Sequence, residues 1–123
     1  MRVFVVEDSR PVMEALKALI SDVGNVEIVG SAQGEACAQD EIRRSRPDVV
    51  VLDIRISGGS GLNILNSIRH DKQTRPLVIV FSGEAEDAYR RTCLKLGADY
   101  FFVKSSEFHR VAEVLSSLAN RRA

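Results

Sequence analysis

Glu7, Asp8, Asp53, Ser82 and Lys104 can each handle a phosphate or a divalent cation, and they stand at the ends of short hydrophobic runs. Those runs are residues 3–6, 49–52, 77–81 and 101–103. Unbroken runs rich in β-branched residues read as strands buried on both faces of a parallel sheet. Ligands of open α/β sheets bind beyond the carboxyl ends of the strands. Three carboxylates, a hydroxyl and an ammonium are therefore predicted to meet on one sheet edge. Acids gathered this way repel one another unless a cation neutralises them or one is protonated. Hard oxygen donors with no His or Cys nearby favour Mg²⁺, which accepts one or two carboxylates together with phosphate oxygens. Lys104 is expected across from Asp53, as a point charge for that carboxylate or for a phosphoryl oxygen. Ser82 can donate to the same oxygen.

Each residue alone has a plainer reading. Glu7 and Asp8 can cap the helix that follows them and complement its dipole. An Asp that ends a strand, as Asp53 does, often begins a turn. Ser82 can cap a helix starting near Ala85, and a lone Lys at position 104 can snorkel to solvent or pair with an acid.

The elements needed to bring these residues together recur along the chain. A fifth strand-like run covers residues 26–30. Between the strands lie helical stripes: Val12, Leu16, Leu19, Ile20 and Val23; Leu62, Leu65 and Ile68; and Phe108, Val111, Leu115 and Leu118. The stretches 35–46 and 85–96 carry few large apolar residues, which predicts helices lying lightly on the sheet. Pro11 suits a first helical turn, while Gly24 and Gly97 follow predicted helices. Pro47 and Pro76 stand just ahead of strands, where a missing N–H costs little. Alternating strands and helices with short connectors predict right-handed βαβ units and a parallel sheet between helix layers. The 123 residues are read as one (βα)5 domain spanning 1–123.

Bulk properties narrow the function. Seventeen Lys and Arg balance seventeen Asp and Glu, so no global field draws the chain to nucleic acid or an anionic membrane. The basic clusters at Arg43, Arg44 and Arg46, at Arg90 and Arg91, and at Arg121 and Arg122 read as solvated helix faces and a tail. Cys37 and Cys93 have no ligand-spaced partner, which argues against zinc and against a disulfide framework. No run approaches the ~20 apolar residues of a membrane helix, and a strand begins too early for a signal peptide. The expectation is a soluble cytoplasmic protein.

Taken as a set, these residues identify a resemblance over essentially the whole chain. The acidic pair Glu7 and Asp8, then Asp53, Ser82, and Lys104 after Gly97-Ala98-Asp99-Tyr100-Phe101-Phe102-Val103, resemble in order and spacing the receiver domain of two-component response regulators. Gly61, eight residues after Asp53, fits the glycine of the loop leading into that family's third helix. The resemblance implies a flavodoxin-like, five-stranded parallel sheet in order 2-1-3-4-5, the order found in chemotaxis regulators of this type. It implies that Asp53 accepts a phosphoryl group from the histidine of a sensor kinase or phosphotransfer protein. It further implies Mg²⁺ held by Glu7, Asp8, Asp53 and the backbone carbonyl of Arg55. Lys104 and Ser82 would bind phosphoryl oxygens, and Ser82 and Phe101 would form the switch. Phosphorylation would then remodel the face built from the fourth helix, fifth strand and fifth helix, to which an unidentified protein target docks. On this reading the chain is a phosphoacceptor, with at most slow self-dephosphorylation, rather than an enzyme.

Three positions depart from the family pattern. Ser105 follows Lys104 where Pro in a cis peptide is frequent, so a cis bond is not expected there, and Ser105 or Ser106 is free to cap the last helix. Ser57 replaces a common Pro and opens a stretch with Gly58, Gly59, Ser60 and Gly61, which is costly to order and expected to be loose without Mg²⁺ or phosphate. Phe101 stands where Tyr is frequent and has no hydroxyl, so any switching must rest on packing. Tyr100 should face the other side of the strand. Arg55 and Glu84 flank the expected site, and an ion pair over its mouth is one reading of them; independent solvation is the other.

Other functions remain to be weighed. The chain could be the receiver portion of a longer DNA-binding transcriptional regulator, or a vestigial binding-only module. A phosphatase with an aspartyl nucleophile usually needs an acid two residues later, and Arg55 occupies that position. A flavin carrier would need N–H donors and hydroxyls where Asp8 stands.

Overall fold

Alternating side chains explain why the strands read as continuous apolar runs. In the computed structural model, which describes residues 1–56, 59–73, 75–83 and 87–122, strand β1 (Arg2–Val6) sends Val3 and Val5 into one core and Phe4 and Val6 into the other. Strand β3 (Val49–Leu52) divides in the same way: Val49 and Val51 join Val3 and Val5, while Val50 and Leu52 join Phe4 and Val6. Successive residues of a strand point to opposite faces, so a sheet covered on both sides needs apolar residues at every position.

Three further strands complete the sheet. Strand β2 (Glu27–Ala32) pairs with β1, and β6 (Leu77–Ser82) and β7 (Tyr100–Val103) extend the sheet beyond β3. Strands β4 (Arg55–Ile56) and β5 (Gly59–Ser60) form a separate small antiparallel hairpin. All pairings in the large sheet are parallel and its order is β2-β1-β3-β6-β7. With the hairpin set aside, this is the expected 2-1-3-4-5 order. The second strand runs to Ala32, two residues past the predicted end; its half-buried edge position weakens the hydrophobic signal there.

Five helices cover the sheet among the described residues. Helices α1 (Arg10–Ser21) and α5 (Lys104–Arg122) lie on one face, where Met13, Leu16, Ile20, Val111 and Leu115 pack on Val3, Val5 and Phe81. Helices α2 (Glu35–Ser45), α3 (Gly61–His70) and α4 (Asp87–Lys95) cover the other. The two stretches predicted to pack lightly do so. Helix α2 buries Ala38 and Ile42, and α4 buries Cys93 among its described side chains. Cys37, on the outer side of α2, is exposed.

Helix starts differ from the expectation in two places. Ser9, rather than the acids before it, caps α1: its Oγ accepts the Val12 N–H at 3.5 Å, with Pro11 in the first turn. Helix α5 begins at Lys104 and is broken at Glu107, which has φ −123° and ψ 20°. Ser105 and Ser106 thus lie within the first helical turn, and Glu107 Oε1 reaches back to accept the Val103 N–H at 3.1 Å. The described residues contain no cis peptide bond. No described helix is long and apolar enough to cross a membrane.

Candidate functional site

The parallel register delivers the chemistry to one edge. Val6 pairs with Leu52, Leu52 with Val80, and Ser82 with Val103, so the residues that follow these strands emerge side by side. The ladder continues one step past the strands: Asp53 N–H donates to Val6 O at 2.9 Å, and Glu7 N–H donates to Ala32 O at 3.1 Å. Both acids are thereby fixed by backbone as well as by side chain.

Lys104 joins them. Its Nζ lies 2.7 Å from Glu7 Oε1 and donates to Asp53 Oδ2 at 3.0 Å. Glu7, Asp53 and Ser82 are the buried polar residues of the described chain, at 0%, 3% and 1% exposure. The 2.7 Å approach is an ion pair without hydrogen-bond alignment, which leaves Glu7 Oε1 buried with no hydrogen-bond partner among the described residues. Glu7 Oε2 accepts the Ser9 N–H at 3.0 Å and ties the site to the cap of α1.

One ammonium shared by two carboxylates leaves an electrostatic deficit, and the titration of the groups reflects it. Burial pushes the Glu7 carboxyl above its ordinary pKa, and the Asp53 charge pushes the same way, against the opposing pull of Lys104 and the Ser9 N–H. Burial would lower the Lys104 pKa, but the close contacts and charges of Glu7 and Asp53 outweigh it and hold the ammonium protonated. The two partners thus respond oppositely: the cation has more anion than it needs, while Glu7 has a share of a cation and a full cost of burial.

A divalent cation fits that deficit. Glu7, Asp8 and Asp53 each offer a carboxylate oxygen, and these oxygens lie within 4.8 Å of one another. An all-oxygen set containing a buried, unaligned carboxylate suits a hard ion such as Mg²⁺.

The opposite wall comes from the hairpin and α3. Arg55 N–H donates to Asp53 Oδ1 at 3.3 Å, and Gly61 N–H donates to Ile54 O at 2.8 Å. A Cβ on Gly61 would stand 2.2 Å from Asp53 O, so only glycine lets α3 start against the residue that carries the central carboxylate.

The comparisons with known proteins agree with this geometry. The response regulator receiver domain family matches residues 3–116. This chain belongs to that family. It is a receiver domain of two-component response regulators, a family of phosphoacceptors. The chain is 31% identical over 122 residues to the sensory transduction protein LytT of Bacillus cereus, covering 99% of this chain and 48% of that protein. It is 26% identical to the transcriptional regulatory protein DesR of Bacillus subtilis, covering 96% of this chain and 58% of that one. The receiver thus spans about half the length of these curated relatives. Among solved structures, the receiver of the NarL regulator from Mycobacterium tuberculosis superposes with TM-score 0.86 at 28% identity, covering 97% of this chain and 95% of that one. The response regulator domain of Thermotoga maritima CheB gives 0.82 at 30% identity, covering 98% and 94%.

A second group of residues surrounds Phe101 in this receiver. The ring is buried among the side chains of the α2–α3–α4 face, and Tyr100 stacks with Phe102 on the opposite face, as strand alternation requires. Arg90 of α4 lies over the Phe101 ring at 4.9 Å, donates to Phe101 O at 3.3 Å and approaches Glu107 Oε1 at 3.7 Å. This clasp was not legible in the chain, since a cluster of arginines on a predicted helix reads first as solvated surface.

Two expectations fall partly outside the described residues. Glu84 does, so the Arg55–Glu84 pair has no structural account, and the helix start that Ser82 might cap adjoins the same gap. Ser57 and Gly58 do as well, although Gly59 and Ser60, expected to be loose, pair with Ile56 and Arg55.

Proposed function

We propose that Asp53 is the phosphoacceptor, and that residues 1–123 form one receiver unit working in the cytoplasm. The donor is a phosphohistidine of a sensor kinase or phosphotransfer protein. An Asp53 carboxylate oxygen forms the new bond to phosphorus as the phosphorus–nitrogen bond breaks, and the donor ring, protonated on its other nitrogen, leaves as a neutral imidazole. Glu7, Asp8, Asp53 and the Arg55 carbonyl would hold Mg²⁺, which when bound neutralises charge on the transferring group. Lys104 holds the Asp53 carboxylate in place beforehand, and its Nζ, already 3.0 Å from Oδ2, is placed to follow the charge onto a phosphoryl oxygen. Ser82, at the end of the adjacent strand, offers its hydroxyl to a second phosphoryl oxygen.

The output rests on packing. As Ser82 moves toward the phosphoryl group, Phe101 shifts into the space released, and the Arg90 clasp above it rearranges. The face formed by α4, β7 and α5 then presents a different surface to a protein target. Having Arg55 where an aspartyl phosphatase would place its acid supports a phosphoacceptor rather than an enzyme.

The single observation that carries this reading is Lys104 bridging two buried carboxylates at the sheet edge. The test is incubation with acetyl phosphate and Mg²⁺ followed by intact mass. The wild type should gain one phosphoryl group, and Asp53→Asn or omission of Mg²⁺ should abolish the gain. An unmodified wild type would make the chain a binding-only module. A second reading, the receiver portion of a longer transcriptional regulator, is favoured by the 48% and 58% coverage of its curated relatives. The mass of the native protein from its source cells tests it.

A further inference from the structure

Glu35, the first residue of α2, stands apart from the acids discussed so far, and its side chain crosses to the hairpin. Its Oε1 accepts the Ser60 N–H at 2.8 Å and the Asn63 Nδ2 amide at 3.1 Å. A Cβ on Gly59 would lie 2.5 Å from Glu35 Cβ and 2.6 Å from Oε1, so the hairpin backbone is seated directly on this side chain. Those two hydrogen bonds hold the Glu35 carboxyl below its ordinary pKa, the Ser60 N–H contributing most.

What Glu35 holds leads straight to Asp53. Ser60 pairs with Arg55 across the hairpin, and the Arg55 N–H donates to Asp53 Oδ1 at 3.3 Å. On the other side of the same segment, Gly61 is pressed against Asp53 O and bonded to Ile54 O. Arg55, Gly59 and Ser60 also line, with Asp8, a groove of ≈ 370 Å³ beside the acidic cluster. Residues 59–61 are thus held between the Glu35 carboxylate and the backbone of residues 53 and 54. Two of the three residues carry no side chain of their own to fix them.

We propose that Glu35 is a positioning residue for the phosphoacceptor site: by accepting the Ser60 N–H and the Asn63 amide, it sets the hairpin that orients the Asp53 carboxylate and the Arg55 carbonyl toward Mg²⁺. The proposal rests on the metal-dependent reading above. Outer partners that orient metal ligands commonly govern metal affinity by about 10–100-fold. The carboxylate acts here as a hydrogen-bond acceptor, so a side-chain amide, which keeps an acceptor oxygen at the same reach, substitutes for it.

The experiment compares wild type, Glu35→Ala, Glu35→Gln and Asn63→Ala by Mg²⁺ calorimetry, by the Mg²⁺ dependence of acetyl phosphate labelling, and by amide hydrogen exchange over residues 53–62. Glu35→Ala should weaken Mg²⁺ binding about tenfold and speed exchange at Ser60, while labelling at saturating Mg²⁺ stays within about threefold of wild type. Glu35→Gln should lie within about twofold of wild type, and Asn63→Ala should fall between the two glutamate variants. Wild-type Mg²⁺ affinity in Glu35→Ala would overturn the proposal. So would equal losses in Glu35→Gln and Glu35→Ala, which would mark a charge effect instead of a held backbone. Glu35→Ala failing to fold while Asn63→Ala binds Mg²⁺ as wild type does would also overturn it. Failure of the wild type itself to bind Mg²⁺ would strike the metal-dependent reading and is seen before any variant is compared.

Discussion

Two charged clusters in this receiver are built from similar parts and differ in their contact with water. At the sheet edge, Lys104 faces Glu7 and Asp53, whose side chains are 0% and 4% exposed. On the α4–β7–α5 face, Arg90 and Glu107 meet over Phe101 with 39% and 25% of their side chains exposed. Buried charges keep most of their desolvation cost unless fully paired, whereas half-exposed pairs are screened and contribute little. The first cluster therefore carries an excess of negative charge that a divalent cation can answer. The second is half-exposed and held weakly enough to rearrange at little cost. On the proposed function, burial separates the place where a signal would be received from the place where it would be displayed.

The sharpest way to break this contrast is to remove each cation. Lys104→Ala leaves two buried carboxylates without their counter-charge and should lower stability by about 3 kcal/mol at neutral pH, measured by urea unfolding without divalent cation. Arg90→Ala should cost about 1 kcal/mol or less in the same assay, the sum of an exposed pair and a cation–π contact. Comparable losses at both sites would erase the distinction.

Glu7→Gln sharpens the contrast with an intermediate effect of opposite sign. The folded-state pKa of Glu7 is raised, so its stabilising contribution is fully present below its unfolded value of ~4.5 and is lost as pH rises through the folded value. Once ionised the group is a net burden, and at pH 7 without divalent cation the glutamine variant should be more stable than wild type by about 1 kcal/mol. That advantage should shrink as pH falls toward ~4.5, because the wild type then protonates Glu7 and recovers its own stability. Urea midpoints at several pH values check it, and a gap that widens on acidification would mean that Glu7 is stabilised by its partners as an anion. The smallest expected effect is that of salt. Raising NaCl to about 1 M should leave the Lys104 contribution nearly unchanged and should reduce what is lost in Arg90→Ala, because screening acts on exposed charges.

How much of this was legible depended on whether the signal was local. Strands buried on both faces announce themselves as unbroken runs, and with them came the parallel sheet and the meeting of Glu7, Asp8, Asp53 and Lys104, while the strand order came from the family resemblance. Phe101 and Tyr100 followed from alternation alone. Side-chain contacts between βα units away from the strand ends were not legible. Glu35 reads as an ordinary acid in a first helical turn, and nothing nearby reveals partners at Ser60 and Asn63, 25 and 28 residues away. The one available hint was the side-chain-poor run Gly58-Gly59-Ser60-Gly61, whose backbone needs an outside partner to be ordered. The Arg90 clasp was hidden in the same way, since it needs the approach of α4 to β7. Ser9 was within reach, standing two residues before a proline at a helix start, but the neighbouring acids offered a competing cap.

The unequal fates of the two thiols have a practical side. Cys93 is sealed beneath α4, and burial pushes its thiol pKa up, while Cys37 sits on the outer side of α2, two residues past the carboxylate that grips the hairpin. A maleimide dye should therefore label the folded protein at one position without any engineered cysteine. Its fluorescence would follow the corner of the molecule where that grip tightens or slackens.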